Sequence, residues 1–188
     1  IIGENGTGKT QLITNLPIDI SESKAESFKP IKPIFSKVIA VSYSVFDNFK
    51  IPNKKIDFNY VLCGLFNEDG KLPSKVEKSQ NLIEAYKIIK HHNRVYKWKY
   101  VISNFLDEEF INDVFCKNQG VREVGDRNEF KINNQKLIDG TDKLSSGQGI
   151  MLEVMTKIIT NIRYDSLILF DEPETHLHPN AISQLISS

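Results

Sequence analysis

Apolar positions in this chain follow two patterns. Three short stretches are nearly continuous: Lys37–Val41 (KVIAV), Tyr60–Phe66 (YVLCGLF) and Ser166–Phe170 (SLILF). Runs of that length suit strands buried on both faces of a parallel sheet. Elsewhere the apolar residues recur at helical spacing. Between about Ser79 and Cys116, Leu82, Tyr86 and Ile89 form one stripe, and Val101, Phe105, Phe110 and Val114 continue a looser one. Met151, Met155, Ile158 and Ile162 mark a further helix over Gly149–Arg163; stripes of this kind belong to amphipathic helices. Gly3–Leu16 reads as a glycine-rich loop and a helix that Pro17 should stop. Polar loops are expected over 18–33 and Asn67–Pro73, and a hairpin over Phe130–Leu137 around Asn133-Asn134. From Asp171 a loop leads to another helix at Asn180. Strands alternating with helices predict an α/β fold.

Composition narrows the class. The 188 residues are 40% hydrophobic, enough to bury a core. Lys and Arg number 24 against 24 Asp and Glu, which argues against a generally basic nucleic-acid binder. No apolar run approaches the ~18 residues needed to cross a bilayer. Two cysteines, Cys63 and Cys116, make no disulfide framework. These features predict a soluble, cytoplasmic protein with no membrane partner. The length suits one domain. Yet only Ile1 and Ile2 precede the glycine-rich loop, where a strand usually has about five residues. The sequence therefore reads as a domain incomplete at its start.

That loop carries the strongest chemistry. GENGTGKT fits G-x-x-x-x-G-K-[ST] through Gly3, Gly8, Lys9 and Thr10. Glycines let consecutive N–H groups turn inward around phosphates, and the following helix adds the positive end of its dipole. Lys9 would place an ammonium on the β/γ-phosphates, and Thr10 a hydroxyl on Mg²⁺. The plain alternative is a glycine-rich turn before a helix.

LILFDEPE supplies a second piece. Four apolar residues, Leu167–Phe170, deliver Asp171 and Glu172 to the carboxyl end of a strand, where open α/β sheets bind ligands. Asp171 is suited to hold Mg²⁺, and Glu172 to orient and deprotonate an attacking water. Alone, the same residues are a solvated acidic turn. Leu144–Gln148 reads LSSGQ before the last amphipathic helix. Ser145 and Ser146 suit a helix cap, and Gly147 admits close backbone approach. This is either a simple cap or a second anion site covering the γ-phosphate of another protomer's nucleotide.

Phosphate loop, LSSGQ and DEP in this order resemble the ATP-binding-cassette class of P-loop ATPases, whose signature is LSGGQ. DEPETHLHP (Asp171–Pro179) resembles the non-transporter branch, the OLD/AAA_21-like ATPases and the related Septu-type and retron-associated antiphage defence ATPases. VSYSVFDNF (Val41–Phe49) and SSGQGIMLEVMTKIITNI (Ser145–Ile162) are similar to the same group. The resemblance implies a P-loop nucleotide-binding domain with a helical lobe, incomplete at both ends. Its parts would be 1–66 (Walker A core), 67–120 (helical insert) and 121–188 (signature and Walker B).

It also implies ATP hydrolysis with Mg²⁺, and a homodimer with ATP sandwiched between one protomer's phosphate loop and the partner's signature. On that basis Lys9 and Glu172 are catalytic, and Thr10 and Asp171 hold the metal. Gly3, Asn5, Gly6, Thr7, Gly8, Lys9, Thr10, Ser145, Ser146, Gly147 and Gln148 bind ATP. The resemblance further implies an effector subunit, a nuclease or retron component. Two departures stand out. Ser42-Tyr43-Ser44 occupies the place of the Q-loop glutamine, and no switch histidine follows within the chain.

Other readings are a DNA-repair ATPase of the RecF-like class and the nucleotide-binding subunit of a transporter. Lys87–Lys99 is the one strongly basic stretch, with Tyr86, Tyr96, Trp98 and Tyr100 interleaved and no acid between Glu84 and Asp107. It suits nucleic acid or the surface of a helical hairpin. His176 and His178 suit an interface loop better than a metal site, because further ligands are missing nearby. His91 and His92 read as a solvated helix end.

Overall fold

A computed structural model describes residues 9–21, 33–42, 60–64, 71–117 and 130–170. In chain order these residues form α1 (Lys9–Ser21), β1 (Lys37–Ser42), β2 (Tyr60–Gly64), α2 (Lys75–His91), α3 (Val95–Ile102) and α4 (Glu108–Val114). There follow β3 (Phe115–Lys117), β4 (Phe130–Ile132), α5 (Asn134–Thr141), α6 (Ser146–Asn161) and β5 (Ser166–Phe170). They fall into two compact units. One holds the described residues up to Gly64 together with those from Asn161 onward; the other runs from Lys71 to Thr160.

The first unit is a parallel three-stranded sheet in the order β2-β1-β5. All three strands coincide with the near-continuous apolar runs. Val38, Ile39, Ala40 and Val41 of the central strand are buried, which is why neither face alternates with polar residues. Ile13 and Ile20 of α1 pack with Val38 and Leu169, and Leu16, Tyr60 and Leu167 border that cluster.

The stop expected at Pro17 does not occur: α1 continues through it to Ser21. Proline lacks an N–H and forfeits one helical bond. However, Ile13, Pro17 and Ile20 lie on one buried stripe, and that burial holds the helix together.

The second unit is built from helices and a two-stranded antiparallel ribbon of β3 and β4. The helical stretch expected over Ser79–Cys116 divides into α2, α3 and α4. Its start lies earlier, because Ser74 and Glu77 form a capping box: Ser74 Oγ accepts from the Glu77 N–H at 3.3 Å, and Glu77 Oε2 accepts from the Ser74 N–H at 2.7 Å. Hydrogen bonding of its carboxyl to the Ser74 side chain, then to the Ser74 backbone, holds Glu77 below its usual range. Asn93, with φ of 55°, breaks the chain between α2 and α3; asparagine tolerates that left-handed conformation.

Cys116 is not helical. It pairs with Lys131 in the ribbon, so cross-strand pairing overrides the local periodicity. Nor is Asn133-Asn134 a hairpin turn. β4 pairs with the earlier β3, and Asn133 caps α5 by accepting from the Lys136 N–H at 3.1 Å. Asparagine serves both turns and helix N-caps, and the sequence pattern did not separate them.

The core of this unit gathers Leu82, Ile89, Trp98, Ile102, Val114, Leu137 and Leu152, among others. Gly140 on α5 lies against Phe110 of α4: a Cβ there would stand 2.7 Å from the ring edge. Glycine is what lets these two helices approach.

Candidate functional site

The phosphate-loop residues Gly3, Asn5, Gly6, Thr7 and Gly8 lie outside the described residues. Lys9 and Thr10 take the first two positions of α1, as a helix following such a loop requires. The first turn of α1 carries no acidic residue. A carboxylate there would compete for the free N–H groups, so this helix start suits an external anion.

β5 is the strand that leads to the DEP motif. Its register with β1 puts Phe170 opposite Val41, and β2 ends with Gly64 opposite Ser42. This pairing runs toward the carboxyl ends of the strands, the side on which open parallel sheets bind ligands. Asp171 and Glu172 follow Phe170 in sequence and lie outside the described residues, as do Tyr43 and Ser44 after Ser42.

LSSGQ lies in the second unit. Ser146 opens α6, and Ser145 precedes it as the cap. Ser145 Oγ accepts from the Gln148 N–H at 3.3 Å, while Gln148 Oε1 accepts from the Ser145 N–H at 3.1 Å. Gln148 Nε2 also donates to the Phe105 carbonyl at 3.3 Å. The side chain of Gln148 is thus engaged within its own unit, a role the sequence reading missed although S-x-x-Q is a legible capping box. Ser145, Ser146 and Gly147 are exposed. A Cβ on Gly147 would meet nothing within 4 Å, so the described part of the chain does not itself demand glycine there.

Two perturbed titratable groups of the described residues lie at the amino end of the sheet. Lys37 and Tyr60 begin β1 and β2. Burial, then Arg163, push the Lys37 ammonium below its usual value, and its Nζ donates to Asn161 Oδ1 at 2.9 Å. Burial, then Cys63, push the Tyr60 hydroxyl up to about 12. Their position at the amino ends of the strands assigns them to packing.

The basic stretch is split by burial. Tyr86 and Trp98 turn into the core, and Trp98 Nε1 donates to Thr156 Oγ1 at 2.9 Å. Arg94 Nη1 donates to the Ile159 carbonyl at 2.9 Å. Tyr96 and Tyr100 stay about half exposed.

His91 and His92 are exposed at the end of α2, and Cys63 is buried while Cys116 is half-buried. His176 and His178 lie outside the described residues. Among the described residues no group of three or more His, Cys, Asp or Glu is placed to hold a metal ion, and no helix is long and apolar enough to cross a membrane. A cavity of about 200 Å³, lined in part by Phe110, Asp113, Lys136, Asp139 and Leu144, lies in the second unit; the sequence carried no sign of it.

Comparison with known proteins gives a family. Residues 14–187 match the profile described as AAA domain, putative AbiEii toxin, Type IV TA system. The chain is also similar to protein ea59 of Escherichia phage lambda, 26% identical over 213 residues and covering 98% of this chain. It spans 41% of that relative's length. No solved structure matches significantly. With a parallel sheet, a helix beginning at Lys9 and a family match over most of its length, the chain belongs to the AAA domain family of putative AbiEii toxins, a P-loop ATPase family.

Proposed function

We propose that this chain is the ATP-hydrolysing domain of a dimeric bacterial antiphage defence protein of the OLD-like branch. In this reading two copies meet head to head, each covering the other's nucleotide with LSSGQ. The observation that carries the hydrolytic part is the register of β5. It is a half-buried strand running parallel to the central strand, and Asp171 and Glu172 come directly after it in sequence. A family description that names a toxin of a toxin–antitoxin system supports a role in bacterial conflict.

The chain's own residues fit Mg²⁺ and ATP. An acid-free first turn of α1 presents amide groups suited to phosphate. Lys9 would bear on the β/γ-phosphates, and Thr10 and Asp171 would hold the metal, which supplies charge neutralisation for phosphoryl transfer. Glu172 would orient and deprotonate the attacking water. Ser145, Ser146 and Gly147, exposed at the start of α6, would contact the nucleotide held by the partner copy.

The test is the full-length protein carrying Glu172→Gln. It should bind ATP, turn it over at a small fraction of the normal rate and accumulate as a dimer in light scattering. Turnover equal to the unmutated protein would overturn the assignment.

A further inference from the structure

The exposed face of α3 and the β3–β4 ribbon combines aromatic rings and lysines in a way the core does not need. Within α3, Val95, Trp98 and Ile102 are buried. Tyr96 and Tyr100, one helical turn apart, are 54% and 51% exposed, and Lys97 beside them is exposed. Residues four apart on a helix are surface neighbours, so the two tyrosines share a side.

Phe130 of β4 braces this face. The Tyr96 ring stacks on it with centroids 6.4 Å apart and planes 27° apart, and the Lys99 ammonium stands 3.8 Å from its centroid. Lys117 lies opposite Phe130 in the ribbon register and is exposed. The chain as a whole is neutral, yet it carries no acidic residue between Glu84 and Asp107.

We propose that this face binds single-stranded nucleic acid, with Tyr96 and Tyr100 stacking on bases and Lys97, Lys99 and Lys117 meeting phosphates. Charge complementarity selects a polyanion. The exposed rings select an unpaired strand, because stacking needs base faces that a duplex keeps covered, whereas a duplex offers mainly phosphates to lysines. Tyr96 and Lys99 are already held by Phe130, so little ordering is left for binding to impose. The site is independent of the ATPase reading: its residues lie outside the three nucleotide motifs.

The experiment measures fluorescence anisotropy of a labelled oligo(dT) strand of about twenty nucleotides with the full-length protein, without ATP. Binding should weaken as salt rises. Replacing Tyr96 and Tyr100 together by alanine should weaken it about fivefold or more, while the double change to phenylalanine, which keeps the rings, should retain it. Lys97→Glu should lower the salt slope by about one, and Lys71→Glu, at an exposed lysine outside α3 and the ribbon, should not. Should the alanine variant fail to fold, the phenylalanine and Lys97→Glu variants still decide. Absence of binding at low salt would overturn the proposal. So would a duplex of equal length binding as tightly, a folded alanine variant binding normally, or loss of binding in the phenylalanine variant.

Discussion

The indole N–H of Trp98 and the hydroxyl of Thr156, both buried, share a 2.9 Å hydrogen bond between α3 and α6. It ties the basic helix to the helix that LSSGQ opens. Thr156→Val removes the acceptor and strands a buried donor, at a cost of about 1–3 kcal/mol. Urea denaturation of Thr156→Val, Trp98→Phe and the double variant should show a combined loss smaller than the sum, because the partners share one interaction. Strict additivity would show that the bond contributes nothing.

Gly140→Ala tests the approach of α4 and α5. Alanine is the better helix former by about 1 kcal/mol. Here its methyl would meet the buried Phe110 ring at 2.7 Å, and overpacking costs about 1–3 kcal/mol. The variant should lose stability in chemical denaturation, and should lose less in a Phe110→Leu background. A plain gain in the unmutated background would mean that the ring moves freely.

Lys37 makes stability depend on alkaline pH. Burial lowers its folded value, while the unfolded chain keeps the ordinary 10.5. Between the two values the unfolded state binds more protons, so stability rises with pH through that window. The penalty is full below the folded value and gone above 10.5. Lys37→Met, which keeps the bulk without the charge, should therefore raise the melting temperature at pH 7 relative to the unmutated protein, with the gap closing toward pH 10.5. A variant equally destabilised at both pH values would show that the bond to Asn161 Oδ1 dominates instead.

Ser145 separates capping from catalysis. Ser145→Ala removes the side-chain half of the α6 capping box and should cost about 1 kcal/mol. Ser145→Asp keeps a good cap, so stability should stay within about 0.5 kcal/mol. If Ser145 faces a partner's γ-phosphate, the added negative charge should lower ATP turnover by the full-length protein about tenfold or more. Normal turnover in Ser145→Asp would leave LSSGQ as a cap alone.

Lys9→Ala should abolish nucleotide binding, measured by equilibrium dialysis of the full-length protein. Lys9 opens α1, and alanine is a strong helix former, so the helix should still form. Retained affinity would remove Lys9 from the phosphate site.

The apolar runs Lys37–Val41 and Ser166–Phe170 were legible as strands because neither carries an alternating polar face; the first is buried along its length, and the second is mostly half-buried. The motifs GENGTGKT, LSSGQ and DEP stand out in the sequence because phosphate and metal sites, where they occur, restrict residue type at fixed spacing. Local pattern misjudged Pro17, whose helix survives through the buried stripe of Ile13 and Ile20. It also misjudged Asn133, where a turn residue proved to be a cap. Each of these outcomes depends on what lies across from the residue, and sequence spacing does not record that. Tertiary structure alone decided which aromatics of the basic stretch turn inward, that Gln148 spends its side chain on the Ser145 amide and the Phe105 carbonyl, and that β1 pairs in parallel with both β2 and β5. Side-chain burial and strand register are properties of contacts distant in sequence, and only the packed chain sets them.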